Sequence, residues 1–312
     1  LTIINYFVFI FVNMLLPPPL KVNDRLMAIA PCGTLRKREK EKFLAGLKIW
    51  EDRGYHIDLE DNYQAQDGYL AGSDEIRRQA LYKAWTNPEY KAIICVRGGY
   101  GGARLLENWQ WMPIDTPKWL IGFSDVTTLL WSLYQENITA LHGPVITTIS
   151  QESPSSLKRL FDYLEGKKIA PLKGNGWGGG KQKGKLLVGN LTVATNILGT
   201  SLCPDFDGVI LALEDVGEAP YRLDRMLTQW RLMGVLEKVK GIALGRFSGC
   251  DVSDNIPSWT APEVLKERLG GLNIPIVSDL PFGHDGDNAC LPLGQIAHID
   301  GDEGILAVGD DE

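Results

Sequence analysis

Histidine is scarce in this sequence. Four occur among 312 residues, His56, His142, His284 and His298, and no two are arranged as H-E-x-x-H, so the usual ligand set of a zinc peptidase is missing. The five cysteines, Cys32, Cys95, Cys203, Cys250 and Cys290, are odd in number, scattered and never spaced as C-x-x-C. Neither a metal cage nor a disulfide framework is indicated, and a reducing compartment is expected. Basic charge is not in excess either: 32 Lys plus Arg stand against 39 Asp plus Glu, a net charge of -7. That balance opposes attraction to phosphate backbones and anionic lipid, so neither nucleic acid nor a stable membrane association is expected.

A bilayer-length apolar run is also lacking. The first twenty residues, LTIINYFVFIFVNMLLPPPL, carry no charge, but the run is broken at Asn13 and stopped by Pro17 to Pro19. They have no basic n-region and no A-x-A-like cleavage site. Residues 1–20 are therefore expected to be an apolar leader, or upstream sequence before an alternative start at Met14, ahead of a cytoplasmic protein. A signal peptide is the competing reading.

What is present is an α/β pattern. With 44% hydrophobic residues, the chain can bury two cores of ordinary domain size. From Lys21 onward short apolar runs alternate with amphipathic stretches, as in sheets with crossover helices. LMAIAP (26–31), KAIICV (91–96), KWLIGF (118–123), VILALE (209–214), GIALGRF and IPIVSDL read as strands. Helices are expected over 38–53, 73–84, 190–198 and 223–233. The stretch APLKGNGWGGGKQKGK is rich in Gly and Lys and reads as a linker loop over 167–185, separating a first domain at 21–166 from a second at 186–312. Its glycines are no phosphate loop, because neither Lys181 nor Lys185 is followed by Ser or Thr.

Chemistry is expected where strands run into unusual turns. In WLIGFSDVTTLLWSLY an apolar strand meets Gly122-Phe123-Ser124-Asp125 and a helix starts at once. Such a turn holds a serine hydroxyl at a strand's carboxyl end, in the manner of a nucleophile elbow. The plain alternative is that Ser124 only caps the helix. A serine needs a base and an acid that orients it. His284, at a Gly-rich turn after a buried strand, is the best base; His142 in LHGPV is either the competitor or a packed histidine nearby, and His56 and His298 read as surface residues. Glu214 ends an apolar strand and is the preferred acid, while Asp215 and Glu218 are expected to pair with Arg222 or Arg225 or to sit in water. The order Ser, Glu, His puts the nucleophile in the first domain and its partners in the second, with the site in the cleft between them. CVRGGYGGARLL supplies glycines able to turn amides toward a developing oxyanion; Gly99 and Asp125 are the expected donors, with Arg97, Gly98 and Trp177 as substrate contacts. A dinucleotide fingerprint fails at Arg104, and the glycines could equally serve only a tight turn.

With APCGTL, CVRGGYGGARLL, KWLIGFSDVTTLL, LHGP, GKLLVGNLTVATNILGT, LALEDVGEAPYRLDRMLTQWRLMG and PFGHDGDNACLPLG in this order, the chain resembles the LD-carboxypeptidase family of serine peptidases. The resemblance runs from Met27 to Ala307. It implies a flavodoxin-like N-terminal domain, a smaller β-rich α/β C-terminal domain and a homodimer. It also implies a triad of Ser124, Glu214 and His284, without metal or cofactor. The implied substrate is a small muropeptide stem, the murein tetrapeptide, losing its terminal D-alanine in cell-wall recycling. The alternatives are an immunity hydrolase that cuts peptidyl-nucleotide amides and a non-catalytic peptide-binding protein. Cys32 stands where the family often has serine, at a turn expected to touch substrate, and Trp177 is expected either to stack on a ligand or to cover a sheet edge.

Overall fold

The computed structural model describes residues 14–252 and 257–309. Five strands, β1 (Arg25–Ile29), β2 (His56–Leu59), β3 (Tyr90–Cys95), β4 (Trp119–Gly122) and β5 (Leu141–His142), pair in parallel in the order β2-β1-β3-β4-β5. This is the flavodoxin-like order, in which ligands are met at the carboxyl ends of the strands. Side chains alternate across the sheet with the period of two that a strand imposes. Leu26, Ala28, Ala92, Ile94 and Ile121 enter one buried cluster, and Met27, Ile29, Ile93, Cys95 and Leu120 enter another. Both faces are covered, which is why these strands read as unbroken apolar runs.

Helices pack closely on the sheet. In Lys40–Asp52, Phe43, Gly46 and Trp50 face inward, and a Cβ on Gly46 would stand 1.9 Å from the Ile146 carbonyl oxygen, so only glycine lets the two backbones meet. Asp74–Thr86 begins at Ser73, whose hydroxyl accepts the Ile76 amide, as serine at a helix N-cap commonly does.

The second sheet has eight strands. β6 (Leu172–Lys173), β7 (Asn175–Gly176), β8 (Lys181–Asn190), β9 (Ile210–Val216), β10 (Gly241–Ser248) and β11 (Ile276–Ser278) belong to it. β12 (Leu291–Pro292) does not: it returns to the first sheet and pairs antiparallel with β5. β13 (Ile296–Asp300) and β14 (Ile305–Val308) complete the second sheet, in the order β6-β14-β13-β8-β9-β10-β11-β7.

Three boundaries differ from expectation. The Gly/Lys-rich stretch 167–185 is no linker: it forms both edge strands and half of β8. Its glycines answer to close backbone packing, since a Cβ on Gly174 or Gly176 would lie 2.2 Å from the carbonyl oxygen of Ser278 or Gly301. The division at 186–312 fails at β12, which crosses back. Residues 14–20 belong to the first domain: Leu15 bridges Ile138, the Leu20 amide donates to Leu164, and the Pro18 carbonyl accepts the Trp119 indole N–H. The expectation for residues 1–13 lies outside the described residues.

The two sheets also share one apolar cluster, which runs from Met27 to Leu306. The helix Thr127–Gln135 joins them, with Thr127 through Leu133 buried. Its Trp131 indole donates to the Val188 carbonyl at 2.8 Å, and its Thr127 hydroxyl accepts the Asn190 amide at 3.0 Å. The second domain is therefore docked on the helix that follows Ser124.

Candidate active site

Gly122 closes β4, Phe123 is extended (φ -153°, ψ -172°), and Ser124 turns into the left-handed region at φ 63°. A short 3₁₀ turn, Ser124–Val126, then feeds the helix. An L-residue pays about 1–2 kcal/mol for that conformation. Such strain gathers where function needs it. The turn lifts Ser124 out of strand and helix alike, and its side chain stays partly exposed while its neighbours are buried.

The Gly-rich turn lies directly against it. A Cβ on Gly98 would sit 2.9 Å from Ser124 Cβ and 3.2 Å from its Oγ, so glycine is the residue that leaves the hydroxyl room. Gly99 and Gly101 both take φ 114°. The buried Asp125 carboxylate accepts the Gly102 amide at 2.7 Å. Arg77, fully buried and paired with Asp74, donates to the carbonyls of Gly101 (2.8 Å) and Pro31 (2.6 Å). Burial raises the Asp125 pKa, while the Gly102 amide, the facing Cys32 thiol and Arg77 pull it back. Cys32 itself is wholly buried, so it underlies the turn and does not line its surface. Burial and the facing Asp125 carboxylate push its pKa well up.

Arg97 is turned inward. Its guanidinium donates to the Thr34 carbonyl at 2.7 Å and stands 3.7 Å from Glu39, and burial lowers its pKa. It braces the turn after β1, a role the expected substrate contact did not include.

On the second domain, Glu214 lies within β9 and is fully buried. Its Oε2 is 2.7 Å from His284 Nδ1, and its Oε1 accepts from Asn190 Nδ2 at 3.2 Å. Burial disfavours the charged His284 ring, but the hydrogen bond and charge of Glu214, with Asp215 and Asp285, outweigh it and raise the pKa. A carboxylate on Nδ1 fixes the proton there and leaves Nε2 as the basic nitrogen. Gly283, at φ 130°, brings the loop so close that a Cβ would touch Glu214 Oε2 at 3.2 Å. The His284 ring packs on Phe123, the residue before Ser124, at 4.8 Å between centroids. Among the described residues the Ser124 hydroxyl makes no hydrogen bond, a looseness common in unliganded sites.

Other expectations are corrected. Asp215 pairs with no arginine and is not in water: it is buried and accepts from the Thr192 amide and hydroxyl (2.8 Å each) and from Asn190 Nδ2 at 3.1 Å. Glu218 does pair with Arg222, at 3.3 Å. His56 is exposed, but His298 sits half-buried in β13. His142 is a packed histidine: its Nε2 faces Asn288 Oδ1 at 3.2 Å, and burial lowers its pKa to about 4. Trp177 is not brought to the site. It follows the edge strand β7, three strands from β9 and so roughly 14 Å across the sheet. Its indole donates to Ser278 Oγ at 2.8 Å under the Lys266 ammonium, covering the edge. Sequence reasoning missed Asn190, which caps the helix Leu191–Ile197 and also bonds both carboxylates; an asparagine at a strand-to-helix junction was its only signal.

Among the described residues no group of three or more His, Cys, Asp or Glu could hold a metal ion, and no helix is long and apolar enough to cross a membrane.

Several known proteins are similar to this chain over nearly its whole length. A Synechocystis protein named as a carboxypeptidase is 55% identical over 295 residues, 95% of this chain and 97% of the relative. The murein tetrapeptide carboxypeptidase of Pseudomonas aeruginosa is 32% identical over 299 residues, 90% of this chain and 94% of its own. The solved structure of the microcin C7 self-immunity protein superposes with a TM-score of 0.86 at 24% identity, covering 95% of this chain and 99% of that one, which speaks to fold. Family models match twice: the LD-carboxypeptidase N-terminal domain at residues 26–143 and the C-terminal domain at residues 183–299. With both halves of the chain matched by the family's domain models and a carboxypeptidase-named relative 55% identical along nearly its whole length, this chain belongs to the LD-carboxypeptidase family of peptidases.

Proposed function

We propose that this chain is a serine-type LD-carboxypeptidase that removes the terminal D-alanine from murein tetrapeptide during cell-wall recycling, acting in the cytoplasm as a homodimer. The observation that carries the reading is the pair of buried Glu214 and half-buried His284, 2.7 Å apart, packed through Phe123 against the Ser124 turn. In this mechanism Ser124 Oγ attacks the carbonyl of the L-D bond while His284 Nε2 takes its proton, and Glu214 stabilises the imidazolium. The amides of Gly99 and Asp125 receive the negative oxygen. Asp125 suits this role because the first amides of a helical turn have no partner within it, and Gly99 because it adjoins the glycine that touches Ser124. Collapse of the tetrahedral intermediate sends the His284 proton to the departing D-alanine amine. Water, deprotonated by His284, then frees the tripeptide from Ser124.

The test follows free D-alanine by mass spectrometry after wild type and Ser124→Ala meet L-Ala-γ-D-Glu-meso-diaminopimelate-D-Ala. Release by wild type alone is expected. If a folded wild type releases none, the murein assignment fails and peptidyl-nucleotide amides become the substrates to try. Light scattering on the purified protein at twice the chain mass of 34.6 kDa checks the homodimer.

A further inference from the structure

His142 stands beside the triad without belonging to it. It ends β5, where its main chain is in register with Gly122 of β4 on one side and with Leu291 of β12 on the other. The first lies two residues before Ser124, the second three residues after Asn288. Its ring is fully buried and meets Phe123 and Phe282 edge-on, each at 5.9 Å between centroids. Phe123 directly precedes Ser124, and Phe282 leads through Gly283 into His284. One ring thus touches the approach to the nucleophile and the approach to the base.

Its polar contact is equally placed. Asn288 Oδ1 accepts the Gly283 amide at 3.0 Å and faces His142 Nε2 at 3.2 Å. A backbone amide can only donate, so the Asn288 atom there must be its oxygen, and an oxygen is satisfied by Nε2 only when Nε2 carries the proton. His142 is therefore a donor at this position. Asn288 is held from the first domain as well, since its backbone N–H donates to Glu152 Oε2 at 2.8 Å. Beside it the Asp287 carboxylate accepts the Ser153 amide at 2.8 Å and the Ser153 hydroxyl at 2.7 Å.

Glu214 fixes the His284 ring only within the second domain, whereas Ser124 belongs to the first. Something must set the distance between them, because a misplacement of about 1 Å can cost about 100-fold in rate. We propose that His142 and Asn288 are positioning residues: the chain from His142 Nε2–H through Asn288 Oδ1 to the Gly283 amide pins the His284 loop to the Ser124 domain and sets the stance of base to nucleophile. The inference rests on the triad roles proposed above. Loss of the pin lowers turnover while leaving substrate binding and the Glu214–His284 pair intact.

The experiment compares kcat and KM for tetrapeptide among wild type, His142→Leu, His142→Gln and Ser124→Ala, with circular dichroism to confirm folding. Leucine keeps the bulk and removes the donor, while glutamine restores an N–H near the Nε2 position. His142→Leu is expected to lose roughly 10- to 100-fold in kcat with KM within about threefold, and His142→Gln to recover most of that loss. Equal kcat in the two His142 variants overturns the proposal. Should His142→Leu fail to fold, Asn288→Leu and Asn288→Asp make the same comparison from the acceptor side; the aspartate variant must be the faster, and equality again overturns it. An active Ser124→Ala would remove the triad and this inference together. An inactive Ser124→Ala beside an unimpaired His142→Leu removes this inference alone.

Discussion

Ser124 carries its hydroxyl on a backbone at φ 63° that glycine adopts without penalty, so two inactive variants should differ in stability. Ser124→Gly is expected to exceed Ser124→Ala by about 0.5–1 kcal/mol, the left-handed strain relieved less the extra chain entropy of glycine; chemical denaturation of the pair reads it. Glu214→Gln leaves the imidazole without its anion, and kcat should fall by about 10³-fold or more. The pH profile tests the same pair from another side. In the proposed mechanism His284 acts as a base only when neutral, and its pKa is raised in the folded protein. The acid limb of kcat/KM should therefore have its midpoint above the ordinary histidine value of about 6.5, with activity lost as pH falls through it. A profile centred below that value would contradict the Glu214 pairing.

At the scale of elements, the Gly-rich turn and the helix after Ser124 depend on near-contact. Gly98→Ala would press a methyl group to 2.9 Å from Ser124 Cβ and should depress kcat at least tenfold, about 1.4 kcal/mol of barrier, in an otherwise folded protein. Gly189→Ala would meet Thr127 Cγ2 at 2.6 Å, prying β8 from that helix, and thermal unfolding should show a loss of about 1–3 kcal/mol. How far these elements could be read beforehand depended on how local their causes are. The strands around Ala92 and Leu120 announced themselves because both faces of a parallel sheet are apolar, and the serine turn because strand, turn and helix adjoin in sequence. Glycines 174–180 were misread as a linker because the carbonyls that demand them, at Ser278, Gly301 and Ile274, lie about a hundred positions away. Asp215 and Trp177 misled for the same reason: their partners Thr192, Asn190 and Ser278 are assembled only by the second sheet. Ser124, Glu214 and His284 could each be singled out from their local sequence, while the hydrogen bonds of Asn190, Asn288 and Arg77 around them could not.

For the whole molecule, burial of His142 has a cost in acid. The unfolded chain takes up a proton on this ring near pH 6.5, whereas the folded protein resists until about 4. The unfolded state thus binds more protons between those values, and stability is lost as pH falls through them. Buried Asp125, Glu152 and Asp215, with raised pKa values, slope the other way, but they are common to wild type and His142→Gln. Denaturation at several pH values should show wild type losing stability relative to His142→Gln on acidification.

The return of β12 to the first sheet also bears on how the molecule is born. Until Leu291 and Pro292 leave the ribosome, the β5 edge lacks its last partner, and open edges invite pairing with other chains. The first domain cannot be finished as a unit during synthesis and then wait for the second. Its closing strand arrives after six of the second sheet's eight strands have emerged, seven residues behind His284. Completion of the Ser124 domain and delivery of His284 therefore belong to one late event, and in the proposed mechanism a nascent chain stalled before it would carry the serine without the means to use it.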